Sequence, residues 1–210
     1  MIRIFLADDH VLVRQALRDF LNKDENVTVV GEASTGPETL AAVGRLRVDI
    51  VLLDANMPGR GGLETLEELK ALSSSPAVLM LTGLPEEDFA VRCIKSGADG
   101  YLMKSQAVAE LGQALVKISE GGKYLSSGLA ERIVESFDPV REELPHERLT
   151  NREFEVMCRL AGGESLAEIA EGLMLSPKTI SSYRSKIGKK TGLKSTAEII
   201  RYAFLQGLVK

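Results

Sequence analysis

The sequence predicts an α/β domain, built on a doubly wound parallel sheet of five strands, followed by a small all-α domain of four helices. Five short runs rich in valine, isoleucine and leucine are typical of buried parallel strands. They cover Ile2–Ala7, Val27–Ala33, Ile50–Leu53, Ala77–Leu81 and Gly100–Met103. Apolar residues at helical spacing separate these runs, for example Val13, Leu17, Phe20 and Leu21. Strands that alternate with helices indicate a sheet covered on both faces, and we assign residues 1–120 to this domain.

Residues 121–148 are predicted to link the two domains. The periodic pattern weakens at Gly121-Gly122, and a short helix is expected around Leu129–Phe137. The segment Asp138–Arg148 combines two prolines with alternating charges. That composition is typical of an interdomain linker.

Residues 149–210 have helical periods throughout, and we expect four helices there. Thr150 and Glu153 form a capping box at the start of the first helix. The later helices are predicted at Leu166–Leu173, Pro177–Thr191 and Ser195–Gln206. Ser176 and Pro177 suit the cap and the first position of the third helix, which Gly192 ends. A short helix, a tight turn and a basic helix indicate a helix-turn-helix.

The composition is that of a soluble globular protein, with 44% hydrophobic and 27% charged residues. No apolar run has the length of a membrane span, and no secretory leader is visible, so we expect a cytoplasmic protein without membrane association. Two distant cysteines and two histidines argue against a zinc site.

The net charge of −4 is unevenly distributed, since residues 1–138 are rich in acids and residues 139–210 in bases. Between Glu171 and Glu198 there is no acidic residue. The basic residues in that interval are Lys178, Arg184, Lys186, Lys189, Lys190 and Lys194. This asymmetry favours two domains with different partners, although a solvated helix face would have a similar pattern.

Polar residues stand where four of the predicted strands end. Asp8 and Asp9 follow the first strand, Asp54 the third, Thr82 the fourth and Lys104 the fifth. Helix capping by itself accounts for the first pair, but not for the other three residues. Ligands of doubly wound sheets bind at the carboxyl ends of the strands, so we expect these side chains to converge there.

Three converging carboxylates raise one another's pKa unless a cation lies among them. Oxygen ligands without a histidine or cysteine cluster suit Mg²⁺. A metal, a lysine and a hydroxyl around one carboxylate would stabilise an incoming phosphoryl group, and that carboxylate can itself form an acyl phosphate. We therefore predict that Asp8 and Asp9 hold the metal and that Asp54 takes the phosphate.

The ordered motifs "ADDH", "LLDANMPGRGG", "LTG" and "GADGYLMKS" resemble the receiver domain of two-component response regulators. The segment "LTNREFEVMCRLAGGESLAEIAEGLMLSPKTISSYRSKI" is similar to the LuxR-type helix-turn-helix. Together they resemble the NarL/FixJ family over nearly the whole chain. The resemblance implies a flavodoxin-like receiver with strand order 2-1-3-4-5.

For the metal and phosphate site, the resemblance implies that Asp54 is the phospho-acceptor and Asp9 a direct metal ligand. Asp8 would help, partly through water, and the backbone carbonyl of Asn56 would complete the protein's share of the metal shell.

The resemblance also implies that Thr82 and Lys104 bind phosphoryl oxygens and that Gly83 leaves room for phosphate entry. Tyr101 would be the aromatic residue whose rotamer follows Thr82, although an ordinary half-buried ring is the alternative.

The third helix of the all-α domain is expected to enter the major groove of double-stranded DNA. Ile180, Tyr183 and Ile187 recur at three and four residues and define its packed face. The predicted DNA-binding residues are Lys178, Thr179, Ser181, Ser182, Arg184, Ser185, Lys186, Lys189 and Lys190. The cations would supply most of the affinity through phosphates. By resemblance the three serines face bases, so sequence preference is expected from Lys189 or from DNA shape.

The sequence departs from the family pattern at two places, and each departure bears on the expected structure. Gly188 and Thr191 stand where family members usually have large apolar residues, so the third helix is expected to end early or to fray in the absence of DNA. Ser105 follows Lys104 where many receivers have proline, which leaves the isomer of that peptide bond open.

The leading hypothesis is a phosphorylation-dependent transcription regulator that receives a phosphoryl group from a sensor histidine kinase and forms a homodimer on activation. It would catalyse its own Mg²⁺-dependent phosphorylation and slow dephosphorylation without being a turnover enzyme. A Mg²⁺-dependent phosphohydrolase is one alternative, but Asn56 stands where such enzymes need a general acid. The other alternative is a DNA-binding protein whose first domain is a fixed, unphosphorylated dimerisation module.

Overall fold

The computed structural model describes residues 1–82, 87–136 and 143–209. The chain forms two compact units, one of residues 1–85 and 90–130 and the other of residues 86–89 and 131–210. Among the helices of the described residues, none is both long and apolar enough to cross a bilayer.

The first unit contains a five-stranded parallel sheet with the order β2-β1-β3-β4-β5. Its strands are β1 (Ile2–Ala7), β2 (Val27–Ala33), β3 (Ile50–Asp54), β4 (Ala77–Thr82) and β5 (Gly100–Met103). The predicted fold class and strand order are therefore confirmed. β3 is buried along its whole length, which explains why it appears in the sequence as a continuous apolar run rather than an alternating one. β3 and β4 each extend one residue beyond the predicted run, so that Asp54 and Thr82 end their strands.

Helices alternate with these strands and continue beyond the sheet. They are α1 (Val11–Leu21), α2 (Gly36–Val43), α3 (Gly62–Lys70), α4 (Glu87–Lys95), α5 (Ala107–Ser119) and α6 (Ser127–Glu135). α6 is the helix expected around Leu129–Phe137. Part of the charged segment Asp138–Arg148 lies outside the described residues, and a short 3₁₀ helix spans Pro145–Arg148.

The second unit contains α7 (Asn151–Ala161), α8 (Leu166–Gly172), α9 (Pro177–Thr191) and α10 (Thr196–Leu205). The predicted capping box is present, because Thr150 accepts a hydrogen bond from the backbone N–H of Glu153 and the Glu153 carboxylate accepts one from that of Thr150. The predicted cap of α9 is also confirmed, with a 3.1 Å hydrogen bond from the Thr179 N–H to the Ser176 hydroxyl. These caps fix where the helices begin.

Gly188 does not shorten α9, because the helix continues to Thr191, the end that the sequence predicts. Fraying of the helix in the absence of DNA stays a prediction. A Cβ atom on Gly188 would lie 2.8 Å from the carbonyl oxygen of Leu193, so the glycine admits a close approach of the returning chain. The Thr191 hydroxyl donates to the Ile187 carbonyl at 2.7 Å, and Gly192 ends the helix with a φ of 79°. The Lys104–Ser105 peptide bond, whose isomer the sequence left open, is trans.

Candidate functional site

The carboxyl ends of the strands bring together the acids and the lysine that the sequence predicts. The side chains of Asp8 and Asp54 are only 1% exposed. Lys104 Nζ lies 2.8 Å from a carboxylate oxygen of Asp54 and 2.8 Å from one of Asp8. One ammonium group therefore bridges two buried carboxylates from different strands.

Strand register explains this convergence. Ala7 of β1 pairs with Leu53 of β3, so Asp8 and Asp54 follow at the same level. Thr82, at the end of β4, pairs with Met103 of β5. The next backbone N–H, that of Lys104, donates to the Thr82 carbonyl at 2.7 Å. Parallel strands in register thus place side chains that are far apart in sequence at one edge of the sheet.

Burial and charge change the acidity of the site. Burial raises the pKa of Asp54 to about 6; the hydrogen bond from Lys104 opposes this shift and the neighbouring charge of Asp8 adds to it. For Lys104, burial works to lower the pKa, but the hydrogen bonds to Asp54 and Asp8 outweigh it, and the pKa lies above its ordinary value. At neutral pH Asp54 is thus mostly ionised beside a charged lysine.

A set of ligand atoms suitable for a cation lies at the same edge. Asp8, Asp9, His10 and Asp54 each offer one ligand atom, all within 4.8 Å of one another. Asp9 is partly exposed, and His10 Nδ1 lies 2.7 Å from its carboxylate. The backbone N–H of His10 donates to the Asp8 carboxylate at 2.8 Å. The cluster carries three carboxylates against one lysine, which favours a divalent cation bound through oxygen.

Two residues that contact Asp8 were missed from the sequence. One is His10, which the last letter of "ADDH" could have indicated. The other is Arg14, one helical turn further on, which donates to the backbone carbonyl of Asp8. Both contacts depend on the direction that the chain takes from β1 into α1, and the spacing of residues in the sequence does not specify that direction.

The loop after β3 approaches Asp54 closely. The backbone N–H of Asn56 donates to the Asp54 carboxylate at 3.2 Å, and that of Gly62 donates to the Ala55 carbonyl at 3.0 Å. A Cβ atom on Gly62 would collide with the carbonyl oxygen of Asp54 and lie 2.8 Å from the Cα of Ala55. Because any side chain would collide here, only a glycine allows α3 to begin this close to β3, the strand that ends in Asp54.

Thr82 and Tyr101 occupy the same face of neighbouring strands. Thr82 is buried, and Tyr101 is half-buried and pairs in register with Met80, two residues before Thr82. The Tyr101 N–H donates to the carbonyl of Tyr124 at 3.2 Å, so the chain after α5 lies along β5 at this residue. Tyr124 was not singled out in the sequence. Gly83, the predicted entry position for phosphate, lies outside the described residues.

The predicted DNA-binding helix α9 has a buried face and an exposed face. Ile180 and Ile187 are fully buried and Tyr183 is half-buried, which confirms the predicted packed face. Thr179 and Arg184 are half-buried. The remaining predicted residues are exposed: Lys178, Ser181, Ser182, Ser185, Lys186, Lys189 and Lys190. The lysines of α9 are thus exposed at the surface of the unit, and Arg184 is partly exposed.

One of these lysines is engaged in an ion pair, because Lys190 Nζ lies 2.6 Å from the carboxylate of Glu153 on α7. Burial by itself would raise the pKa of Glu153. Hydrogen bonds from Lys190 and from Thr150 outweigh it, so the pKa lies below its ordinary value. The sequence predicted Glu153 as a helix cap and Lys190 as a DNA contact, but it did not predict their pairing.

Two known families match the chain. Residues 4–116 match the family described as the response regulator receiver domain. Residues 147–203 match the family described as bacterial regulatory proteins, luxR family. The first match spans the sheet and its acidic edge, and the second spans α7 to α9 and most of α10.

Whole proteins with both parts are similar to the chain. Response regulator UvrY of Escherichia coli (strain K12) is 35% identical over 99% of this chain and 96% of its own. Response regulator GacA of Pseudomonas aeruginosa is 33% identical over 100% of this chain and 98% of its own. Among solved structures, RcsB from Salmonella enterica serovar Typhimurium, bound to promoter rprA in the presence of phosphomimetic BeF3−, has a TM-score of 0.68 and 26% identity. That likeness covers 96% of this chain and 98% of the RcsB chain.

Proposed function

Because this chain belongs to the response regulators that join a receiver domain to a LuxR-family DNA-binding domain, we propose that it regulates transcription through phosphorylation of Asp54. The observation that carries the proposal is the position of Lys104 Nζ, 2.8 Å from both Asp54 and Asp8. A buried carboxylate held by a lysine, with a buried threonine on the next strand, provides a nucleophile and two groups that can bind phosphoryl oxygens.

The phosphoryl donor is a phosphohistidine of a sensor kinase. A carboxylate oxygen of Asp54 attacks the phosphorus atom, the P–N bond breaks, and its electron pair stays on the imidazole nitrogen, which takes up a proton. The pKa of Asp54, about 6, leaves the carboxylate mostly ionised at neutral pH and ready to attack. Lys104 then contacts the new phosphoryl group, and the Thr82 hydroxyl donates to one of its oxygens.

A magnesium ion fits the same edge, because the available donors are carboxylate oxygens and their charge exceeds that of Lys104. Asp9 and Asp54 would bind it directly, Asp8 partly through water, and the backbone carbonyl of Asn56 would complete the set. When bound, the ion neutralises charge on the phosphoryl oxygens. The protein is not a turnover enzyme in this proposal, since Asn56 stands where a phosphohydrolase would need a general acid.

The output of the proposed switch is DNA binding by α9. Its exposed cations contact phosphates and its exposed serines face the major groove. The RcsB structure, bound to a promoter in the presence of a phosphate mimic, supports this order of events by likeness. We further propose that the phosphorylated protein binds paired half-sites as a homodimer.

The test is light scattering after gel filtration of the full chain, with and without Mg²⁺ and beryllofluoride. The wild-type protein is expected to change from monomer to dimer only with both additions, and to bind DNA more tightly in that state. Asp54→Asn is expected to abolish both responses. A mutant that still responds would overturn the assignment of Asp54, and an unresponsive wild-type protein would favour a fixed dimerisation module.

A further inference from the structure

We propose that Lys190 positions α9, the recognition helix, by binding Glu153 and does not contact a DNA phosphate. This inference rests on the proposed DNA-binding function of α9, and it removes one cation from the predicted contact set. It makes Glu153, a residue of α7 outside the helix-turn-helix, a positioning residue for DNA recognition.

The contact joins two helices that are distant in sequence. Lys190 Nζ donates to the Glu153 carboxylate at 2.6 Å across 37 residues of chain. The Glu153 side chain is 4% exposed, so this carboxylate has little access to water. A buried carboxylate needs a charged partner, and Lys190 provides it.

The same carboxylate oxygen also caps α7. Glu153 Oε2 accepts from the backbone N–H of Thr150 at 2.8 Å and from Lys190. The first turn of α7 and the last turn of α9 therefore meet at one atom. Since the capping box fixes where α7 begins, the lysine connects the end of α9 to a rigid point.

The location of this connection on α9 gives it an effect on DNA binding. The middle of the helix is held by Ile180 and Ile187, both fully buried. Beyond Ile187, Gly188 has no side chain to pack, and Lys190 supplies a polar contact to α7 at this end. The exposed Lys189 lies immediately before it, so a change in direction of the last turn would displace a cation that faces DNA.

Releasing Lys190 to a phosphate would also be costly, because Glu153 would remain buried with an unpaired charge. Lys189 has no such constraint. It is exposed, and within the part of the chain that the structure describes it has no ion-pair partner. These adjacent lysines therefore form a matched pair, with one proposed to position the helix and one to contact phosphate.

The experiment measures DNA affinity as a function of salt for the full chain with Mg²⁺ and beryllofluoride. The probe is the duplex that the wild-type protein selects from a random-sequence pool. A lost phosphate contact lowers the slope of log affinity against log salt by about 0.9. Lys189→Met is expected to show that loss. Lys190→Met is expected to weaken binding about tenfold with an unchanged slope.

Glu153→Gln decides between the two roles by the sign of its effect. Glutamine can still accept the backbone hydrogen bond of the capping box, so the helix start is retained. If Glu153 positions α9, the variant binds DNA more weakly and adds nothing to the loss in Lys190→Met. If Lys190 contacts phosphate, removing the competing carboxylate frees the lysine and tightens binding.

Tighter binding by Glu153→Gln, a reduced salt slope in Lys190→Met, or no effect of either variant would each overturn the inference. Failure of the DNA-binding function itself would look different. The wild-type protein would then select no duplex from the pool, and neither it nor Lys189→Met would show salt-dependent DNA binding.

Discussion

The acidic edge of the sheet and the recognition helix both concentrate charge, but they do so in opposite surroundings. At the edge, Asp8 and Asp54 are 1% exposed and share one lysine, and the three groups come from three different strands. On α9, the cations lie on one helix and most of them are exposed. The first region is a product of tertiary folding, whereas the second is largely a property of a single segment.

Because of this difference, the two regions respond differently to an added charge. Charges in a buried, water-poor site interact strongly, so the addition of one phosphoryl group can change the balance of the whole cluster. Exposed charges act nearly independently, and they are screened by salt. The pair of Lys190 and Glu153 lies between these cases, since one partner is buried and the other is 37% exposed.

Removing one lysine from each region should change the stability of the two domains by very different amounts. Lys104→Met leaves two buried carboxylates without their cation and should destabilise the receiver domain by about 3–5 kcal/mol at pH 8 without divalent metal. Lys189→Met should change stability by less than about 0.5 kcal/mol. Hydrogen-exchange mass spectrometry of the full chain measures both domains separately. Added Mg²⁺ should restore part of the loss, and equal effects of the two substitutions would contradict the contrast.

The second prediction concerns the pH dependence of the acidic edge. The folded pKa of Asp54 is about 6 and its ordinary value is 3.8, so the folded state holds the proton more tightly. Stability therefore falls as pH rises through this window. In the presence of EDTA, Asp54→Asn lacks this loss, and its stability advantage over wild type should increase by roughly 2.5 kcal/mol between about pH 4 and pH 7. An advantage that does not change with pH would show that Asp54 is not buried next to Asp8 as described.

The smallest effect has the opposite sign and lies in the DNA-binding domain. The pKa of Glu153 is below its ordinary value of 4.5, so its contribution to stability is complete above that value and is lost as pH falls through the folded pKa. Wild type should be more stable than Glu153→Gln at neutral pH, and this difference should shrink under acid conditions. Exchange rates in α7 and α9 measure it, and a difference that grows with acid would refute the pairing with Lys190.

Much of the fold and of the receiver site could be predicted because the signals are local. Buried strands appear as short apolar runs, and the polar residue after each run marks the edge where ligands bind, as at Asp54 and Lys104. Capping residues such as Thr150 and Ser176 mark helix starts for the same reason. The roles of these residues in metal and phosphate binding could be inferred once the ordered motifs resembled a family, and they remain predictions for this chain.

The amino-acid sequence alone therefore specifies the set of elements, their order, and which polar residues stand at the ends of the strands. Packing between elements determines which atoms meet: Lys104 lies between Asp8 and Asp54, Gly62 lies against the Asp54 carbonyl, and Lys190 binds Glu153. The physical reason is the range of the interactions. Periodicity and capping act within a few residues of the chain, whereas ion pairs and close backbone contacts depend on where separate elements pack.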